Sequence, residues 1–349
     1  MSSTILKEWI SIKNRGSISI ISLLVMAMIF ISALFLVYLS NMEYFIVNSS
    51  LDSIQAYYLS EGKIDMLLRD KKYYEKELLP RIETYIRYGR ITPTYSKHVL
   101  LDSEDLYKGD SNKIITVNFS TDDRMGMELE TYSTFNNIRQ DIKAQLTIIN
   151  DFFELRNPVL SIDSIQEDKI QEFLDYMDYL EGNIRLPEEL DGIMELEIRN
   201  YNKIRINQLM DGGTIIEYFR NDGEEPIKRE GLTRGEIFLL VKDDSSPTLT
   251  IDSENDQDRL VLKGIIYLEG DLEINCGLDF SGILILNRAR INIEPSKEVD
   301  INGIVLLKES DANFIEEDNV KTEYDFNIIR RYGIYLPKFV DPKIQIIKN

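Results

Sequence analysis

One cysteine and one histidine are all that this chain of 349 residues holds of either. Cys276 has no second thiol to pair with, so no intramolecular disulfide supports the fold, and each domain relies on core burial. Lying between Asn275 and Gly277 beside an apolar strand pattern, it reads as a packed thiol. A lone histidine excludes a multi-histidine metal site, and no nucleophile motif surrounds His98 to make a triad or a Cys–His pair. It reads as a surface residue in the loop with Tyr95-Ser96-Lys97. Glycine-rich phosphate loops are missing too, since Asp211-Gly212-Gly213-Thr214 lacks the lysine and the helix of a P-loop. Asp252, Glu254, Asp256 and Asp258 have the spacing of calcium ligands. Gln257 and Lys263, however, stand where an EF-hand loop needs glycine and glutamate, so the stretch reads as a solvated linker.

Positive charge is also scarce. The formal net charge is −20, and without residues 1–42 the remainder holds 37 basic and 59 acidic residues, about −22. Such a surface argues against a nucleic-acid partner and fits an exported acidic domain.

Two further absences concern the beginning of the chain. No charged residue falls between Gly16 and Met42, and no proline between Lys13 and Leu79. The first run is long enough to span a hydrocarbon core of roughly 30 Å and longer than the apolar core of a signal peptide. Lys7, Lys13 and Arg15 against Glu8 keep the first residues cytoplasmic and send the rest across. Beyond the run, Val47, Leu51, Ile54 and Tyr58 recur at helical spacing, and Ile64, Leu67 and Leu68 resume an apolar face after Glu61-Gly62. One helix from Gly16 to Leu68 would reach about 80 Å. Gly62 inside it predicts a bend or a close contact.

The stretch "RGSISIISLLVMAM" (15–28), followed by "SIQAYYLSEGKIDMLL" (53–68), resembles the N-terminal region of type IV pilus minor pilins, in particular the PilX-type pilus assembly proteins. Arg15-Gly16 matches the end of their basic leader. Ala56-Tyr57-Tyr58-Leu59-Ser60-Glu61-Gly62 matches a second block, with Ser60 where alanine is usual. The likeness covers about seventy residues. It implies cleavage after Gly16 by a prepilin peptidase and a mature chain starting at Ser17. The fifth mature position, glutamate in major pilins, is Ile21 here. A carboxylate that would pair with a neighbouring N-terminus is thus absent, which implies a minor, tip or priming subunit.

Past the helix, Tyr88-Gly89 and Thr92-Pro93 mark a break. "KIITVNF" (113–119) and "IRQDIKAQLTII" (138–149) read as strands. Ser164-Ile165-Gln166-Glu167 has the pattern of a capping box opening a helix with Ile170, Phe173, Leu174, Met177 and Leu180 on one face, stopped by Gly182. From Leu196 to Phe238 short strand-like pieces alternate with "DGG" and "NDG" turns. Then a pattern repeats: an apolar residue, any residue, glycine and four apolar residues at 262–268, 280–286 and 301–307. Four apolar residues in a row mean burial on both faces, whereas "DLEIN" (271–275) and "RINIE" (290–294) alternate and face water on one side. Strands of equal pattern about twenty residues apart suggest stacked parallel coils. Asp271, Asp279 and Asp300 are the acidic residues on this stack that a carbohydrate-active enzyme would call on, at unequal repeat offsets.

The expectation is an α+β protein in four parts: a leader (1–16), a long helix (17–90, spanning at about 17–39), an α+β head domain (91–190) and a β-rich domain (191–349). The last would end in a small β-solenoid-like repeat stack at 262–315. Ile21, Leu24, Met28, Ile31, Phe35 and Tyr38 would form the membrane and assembly surface. Val47, Leu51, Ile54, Ala56, Tyr58, Glu61 and Gly62 would contact the head. The expected role is that of a non-enzymatic minor pilin-like subunit of a type IV pilus or related filament, in the bacterial cytoplasmic membrane and at the cell surface. No cofactor or metal is expected. Its partners would be other pilins or pilus assembly proteins, prepilin peptidase and the cytoplasmic membrane. The alternatives are a permanently anchored extracellular adhesin or scaffold and an anchored carbohydrate-active enzyme.

Overall fold

The computed structural model describes residues 3–91, 94–121, 124–187, 192–198, 201–220, 225–232, 235–242, 247–255, 259–310 and 319–348. The side chains of residues 3–17 and Thr121 lie outside the description. The long helix α1 runs from Ser3 to Arg69. It does not continue to residue 90 as expected. Asp70 leaves the helical region (φ −79°, ψ 120°), and its carboxylate accepts from the Lys72 amide at 2.8 Å, capping the next turn α2 (Lys71–Tyr73). A π-helical turn over Tyr74–Leu78 leads into α3 (Leu79–Tyr88). Pro80 in the first turn of α3 has no amide hydrogen to give the preceding turn, which favours this local widening. Gly89, left-handed at φ 66°, ends α3 where the sequence places the break.

Three sheets follow. The first is antiparallel, in the order β1 (His98–Leu100), β2 (Ile114–Thr121), β3 (Met125–Phe135), β4 (Ile138–Ile149) and β18 (Val340–Lys348). The C-terminal strand thus returns to the sheet begun two hundred residues earlier, across the expected boundary at residue 190. β3 was not legible in the sequence. Its inward residues are Met125, Met127, Leu129, Thr131 and Ser133, and the two hydroxyl residues break the apolar alternation. Asn136 and Asn137, both at positive φ, form its two-residue turn into β4.

The second sheet is parallel, ordered β17 (Val320–Glu323), β16 (Val299–Lys308), β14 (Gly277–Asn287), β12 (Arg259–Glu269), β10 (Glu236–Val241) and β6 (Met194–Ile198); β5 (Val159–Leu160) also joins β16. The third has a parallel part, β15 (Ile291–Ile293), β13 (Asp271–Ile274), β11 (Thr248–Ser253) and β7 (Lys203–Gln208). An antiparallel extension of β8 (Thr214–Phe219) and β9 (Lys228–Leu232) completes it. From β9 to β16 the chain visits the third and second sheets in turn, and parallel pairing extends back to residue 194, well before the first repeat at 262. The described residues form no closed solenoid. The protein is α+β, with a long apolar N-terminal helix and a β-rich C-terminal region.

Two apolar layers flank the second sheet. Ile265, Tyr267, Ile283, Ile285, Ile304 and Leu306 face the layer that also holds α3, α4 (Ile170–Asn183) and α5 (Phe326–Gly333). Their neighbours Ile266, Leu268, Leu284, Leu286, Val305 and Leu307 face the third sheet. The four-residue runs are thus buried on both sides, as their pattern requires. The third sheet buries one face and leaves residues such as Glu273 half-buried on the other, so "DLEIN" and "RINIE" alternate. Around α4 the start differs from the expected one. The reciprocal capping pair is Ser161 with Ser164 on a short 3-10 turn, and α4 begins at Ile170. It buries Phe173, Tyr176, Met177 and Leu180, and continues one residue past Gly182.

Candidate functional site: the two faces of the long helix

From Ile18 the helix α1 holds a membrane-length stretch of mean hydropathy 2.9, none of it buried. Length and composition of this kind serve membrane anchors and N-terminal signal sequences alike. Ile21, Leu24, Met28, Ile31, Phe35 and Tyr38 all stand exposed along it. Gly16 and Ser17 lie in helical backbone, with their side chains outside the description.

The C-terminal part of α1 packs on β3 and β4, with a face other than the expected one. Val47, Leu51, Ile54 and Tyr58 are 49–61% exposed and point away from the head. The covered side is Ala56, Ser60, Lys63, Ile64 and Leu67, spaced i, i+4, i+7, i+8 and i+11. Of the expected contact set only Ala56 is fully buried; Glu61 is half-buried, Gly62 exposed. The helix continues through Gly62, and a β-carbon there would meet nothing within 4 Å, so no close contact accounts for it.

Hydrogen bonds explain the reversal. Asn136 Nδ2 donates to Asp52 Oδ1 at 3.0 Å, and Gln140 Nε2 to Ser53 Oγ at 2.6 Å. Ser60 Oγ lies 3.1 Å from the carbonyls of Ala56 and Gln140. Lys63 Nζ donates to the carbonyls of Asn112 (2.7 Å) and Tyr132 (2.8 Å). The helix is attached by Ile64 and Leu67 in the core together with small and polar side chains, and the latter carry no hydrophobic periodicity. Its apolar stripe is free for something else.

The other candidate residues are distributed through the head. His98 is exposed on β1, its Nδ1 3.2 Å from Thr116 Oγ1. Cys276 is buried, and burial pushes its thiol up to about 11. Asp211 Oδ1 caps the β7–β8 turn through the Gly213 amide; the "NDG" turn lies outside the described residues. Asp256 and Asp258 lie there as well. Glu254 accepts from the Met210 amide at 3.1 Å, and Asp252 lies 3.9 Å from Arg205. Asp279 and Asp300 turn out to be in register on β14 and β16, with the Arg259 guanidinium 2.6 Å from one and 2.7 Å from the other. Asp271 is apart from them, on the third sheet. Among the described residues no group of three or more histidine, cysteine or carboxylate side chains is placed to hold a metal ion.

The acid–base network that sequence reasoning missed joins α4 to the ends of β14 and β16. Lys308 Nζ lies between Asp178 and Glu181 Oε2 (2.7 Å), while Arg288 reaches Glu181 Oε1 at 2.8 Å. The hydrogen bond from Lys308 holds the Glu181 carboxyl below its ordinary value. Nothing in local spacing announces contacts over more than a hundred residues. Compared with family models, characterised proteins and solved structures, the chain matches none.

Proposed function

We propose that the chain is a minor pilin-like structural subunit of a type IV pilus or related filament, acting in assembly, priming or tip display. The reading rests on one observation above all. The apolar run of α1 continues into the stripe Val47, Leu51, Ile54 and Tyr58, which the protein's own head leaves uncovered. A simple anchor needs apolar side chains only within the bilayer. An apolar stripe continuing beyond it, on the side away from the head, suits a helix that leaves lipid and packs against other helices. In this reading residues 17–39 reside in the cytoplasmic membrane until assembly, prepilin peptidase cuts after Gly16, and the acidic head is displayed outside. Ile21 at the fifth mature position fits a subunit added once rather than repeatedly.

A second reading, a permanently anchored adhesin or scaffold, draws on the parallel pairing of β6, β10, β12, β14 and β16. Replacing residues 1–42 by an unrelated spanning helix separates the two. A pilin-like subunit loses filament assembly under that exchange, and an anchored scaffold keeps its function.

A further inference from the structure

Lys63 and Asp110 meet inside the head, with 3% and 1% of their side chains exposed. Lys63 comes from α1, and Asp110 from the long loop between β1 and β2. Nζ lies 2.6 Å from Asp110 Oδ2, yet that oxygen makes no hydrogen bond of acceptable geometry. The hydrogen bonds of Nζ go elsewhere, to the carbonyls of Asn112 and Tyr132. With two of its positions directed at these carbonyls, Nζ turns its third towards the Asp110 carboxyl. The other oxygen, Oδ1, accepts from the Asn112 backbone amide at 3.1 Å.

We propose that Lys63 and Asp110 condense to an intramolecular isopeptide bond that fastens the long helix covalently to the head. The reaction needs no external reagent. One proton passes from the Lys63 ammonium to Asp110 Oδ2, leaving an amine and a carboxylic acid. The Nζ lone pair forms the bond to Cγ, and the electrons of the Cγ–Oδ1 double bond move onto Oδ1, where the Asn112 amide holds the charge. As the carbonyl reforms, the Cγ–Oδ2 bond breaks and Oδ2 takes a second proton from nitrogen. Ammonium and carboxylate have become one secondary amide and one water.

Three features of the site favour the step. Held nucleophile and electrophile react as a unimolecular pair, with effective molarities on the order of 10⁵ M or more. Burial disfavours the separated charges and pulls the Lys63 ammonium below the ordinary lysine value, against the opposing pull of Asp110. The amide removes two charges from a site that is costly for both. The exposed pair of Lys72 with Asp105, 2.8 Å apart, has none of this shielding and serves as an internal control.

The test is peptide mapping of the purified full chain by mass spectrometry after digestion with trypsin. The expected result is a branched peptide joining the segments of Lys63 and Asp110, about 18 Da lighter than the two together, with no cleavage after Lys63. Lys72 stays free and cleavable. Lys63→Arg keeps the charge and abolishes the branched species. Recovery of both segments only as linear peptides, with cleavage after Lys63, would overturn the proposal. That outcome is read on the unaltered protein, so it does not depend on how well a variant folds.

Discussion

Gly264 and Gly282 lie side by side in parallel register, so close that a β-carbon on Gly282 would sit 1.9 Å from the Gly264 carbonyl oxygen. Gly303 repeats the relationship one strand further on, at 2.0 Å from the Gly282 oxygen, and Gly264 does so against Ile237. This is the physical meaning of the glycine in the threefold repeat. At Gly264 and Gly303 the backbone also takes φ of 127° and 136°, which L side chains rarely adopt. Gly282→Ala therefore costs roughly 3 kcal/mol or more, a large-effect class of substitution, measured as a shift of the urea midpoint. Gly182→Ala on α4, with open space around it, is the control that leaves the midpoint unchanged or raised.

The two faces of α1 predict opposite phenotypes. Leu67→Ala, in the covered stripe, destabilises the head by about 2–5 kcal/mol. Leu51→Ser and Ile54→Ser, on the uncovered stripe, change head stability by no more than about 0.5 kcal/mol. Yet if the filament reading holds, they abolish assembly. Chemical denaturation and filament counts on the same variants decide between these outcomes.

Acid weakens the joint between α4 and the strand ends. Glu181 is held below its ordinary value by the Lys308 hydrogen bond, so its contribution is full above the unfolded carboxylate value. It is lost as pH falls through the lower folded one. Glu230 titrates in the same sense through Lys228 and Tyr218. Stability should therefore fall steadily below about pH 4.5. Glu181→Gln should remove roughly 1 kcal/mol at pH 7 and flatten that fall. Unfolding curves across pH 2–7 give the answer.

Cys276 reports on the integrity of the β-rich layers. Buried at 2% exposure, with its thiol pushed up to about 11, it should resist a thiol reagent in the native protein and react at once in denaturant. Rapid labelling under native conditions would place it outside the core.

Removal of residues 340–349 should damage the first sheet rather than the repeats. β18 pairs with β4 from Val340 to Lys348, and its loss opens a long edge. Hydrogen exchange is expected to rise along β4 while β12, β14 and β16 keep their protection.

Where burial and periodicity coincide, the sequence announces the structure. The runs 265–268, 283–286 and 304–307 are apolar because both faces are covered, and β2 and β4 fall where their patterns put them. Where a polar group does the packing, the signal fails. Thr131 and Ser133 hide β3, and Ser53, Ser60 and Lys63 hide the face by which α1 meets the head. The stripe of Val47, Leu51, Ile54 and Tyr58 was legible as a stripe, but periodicity names a face without naming what it faces. The return of β18 to the first sheet rests on pairing across about two hundred residues, which no local pattern encodes.

A pilin-like subunit requires an opening helix made to leave the membrane. The direct measurement is the N-terminal residue and intact mass of the protein from its own cells, with and without prepilin peptidase. The expected result for a pilin-like subunit is a start at Ser17 that depends on the peptidase. A start at Met1 or Ser2 in both cases would contradict it and make α1 a permanent anchor, and a start beyond about residue 33 would make the run a discarded signal peptide.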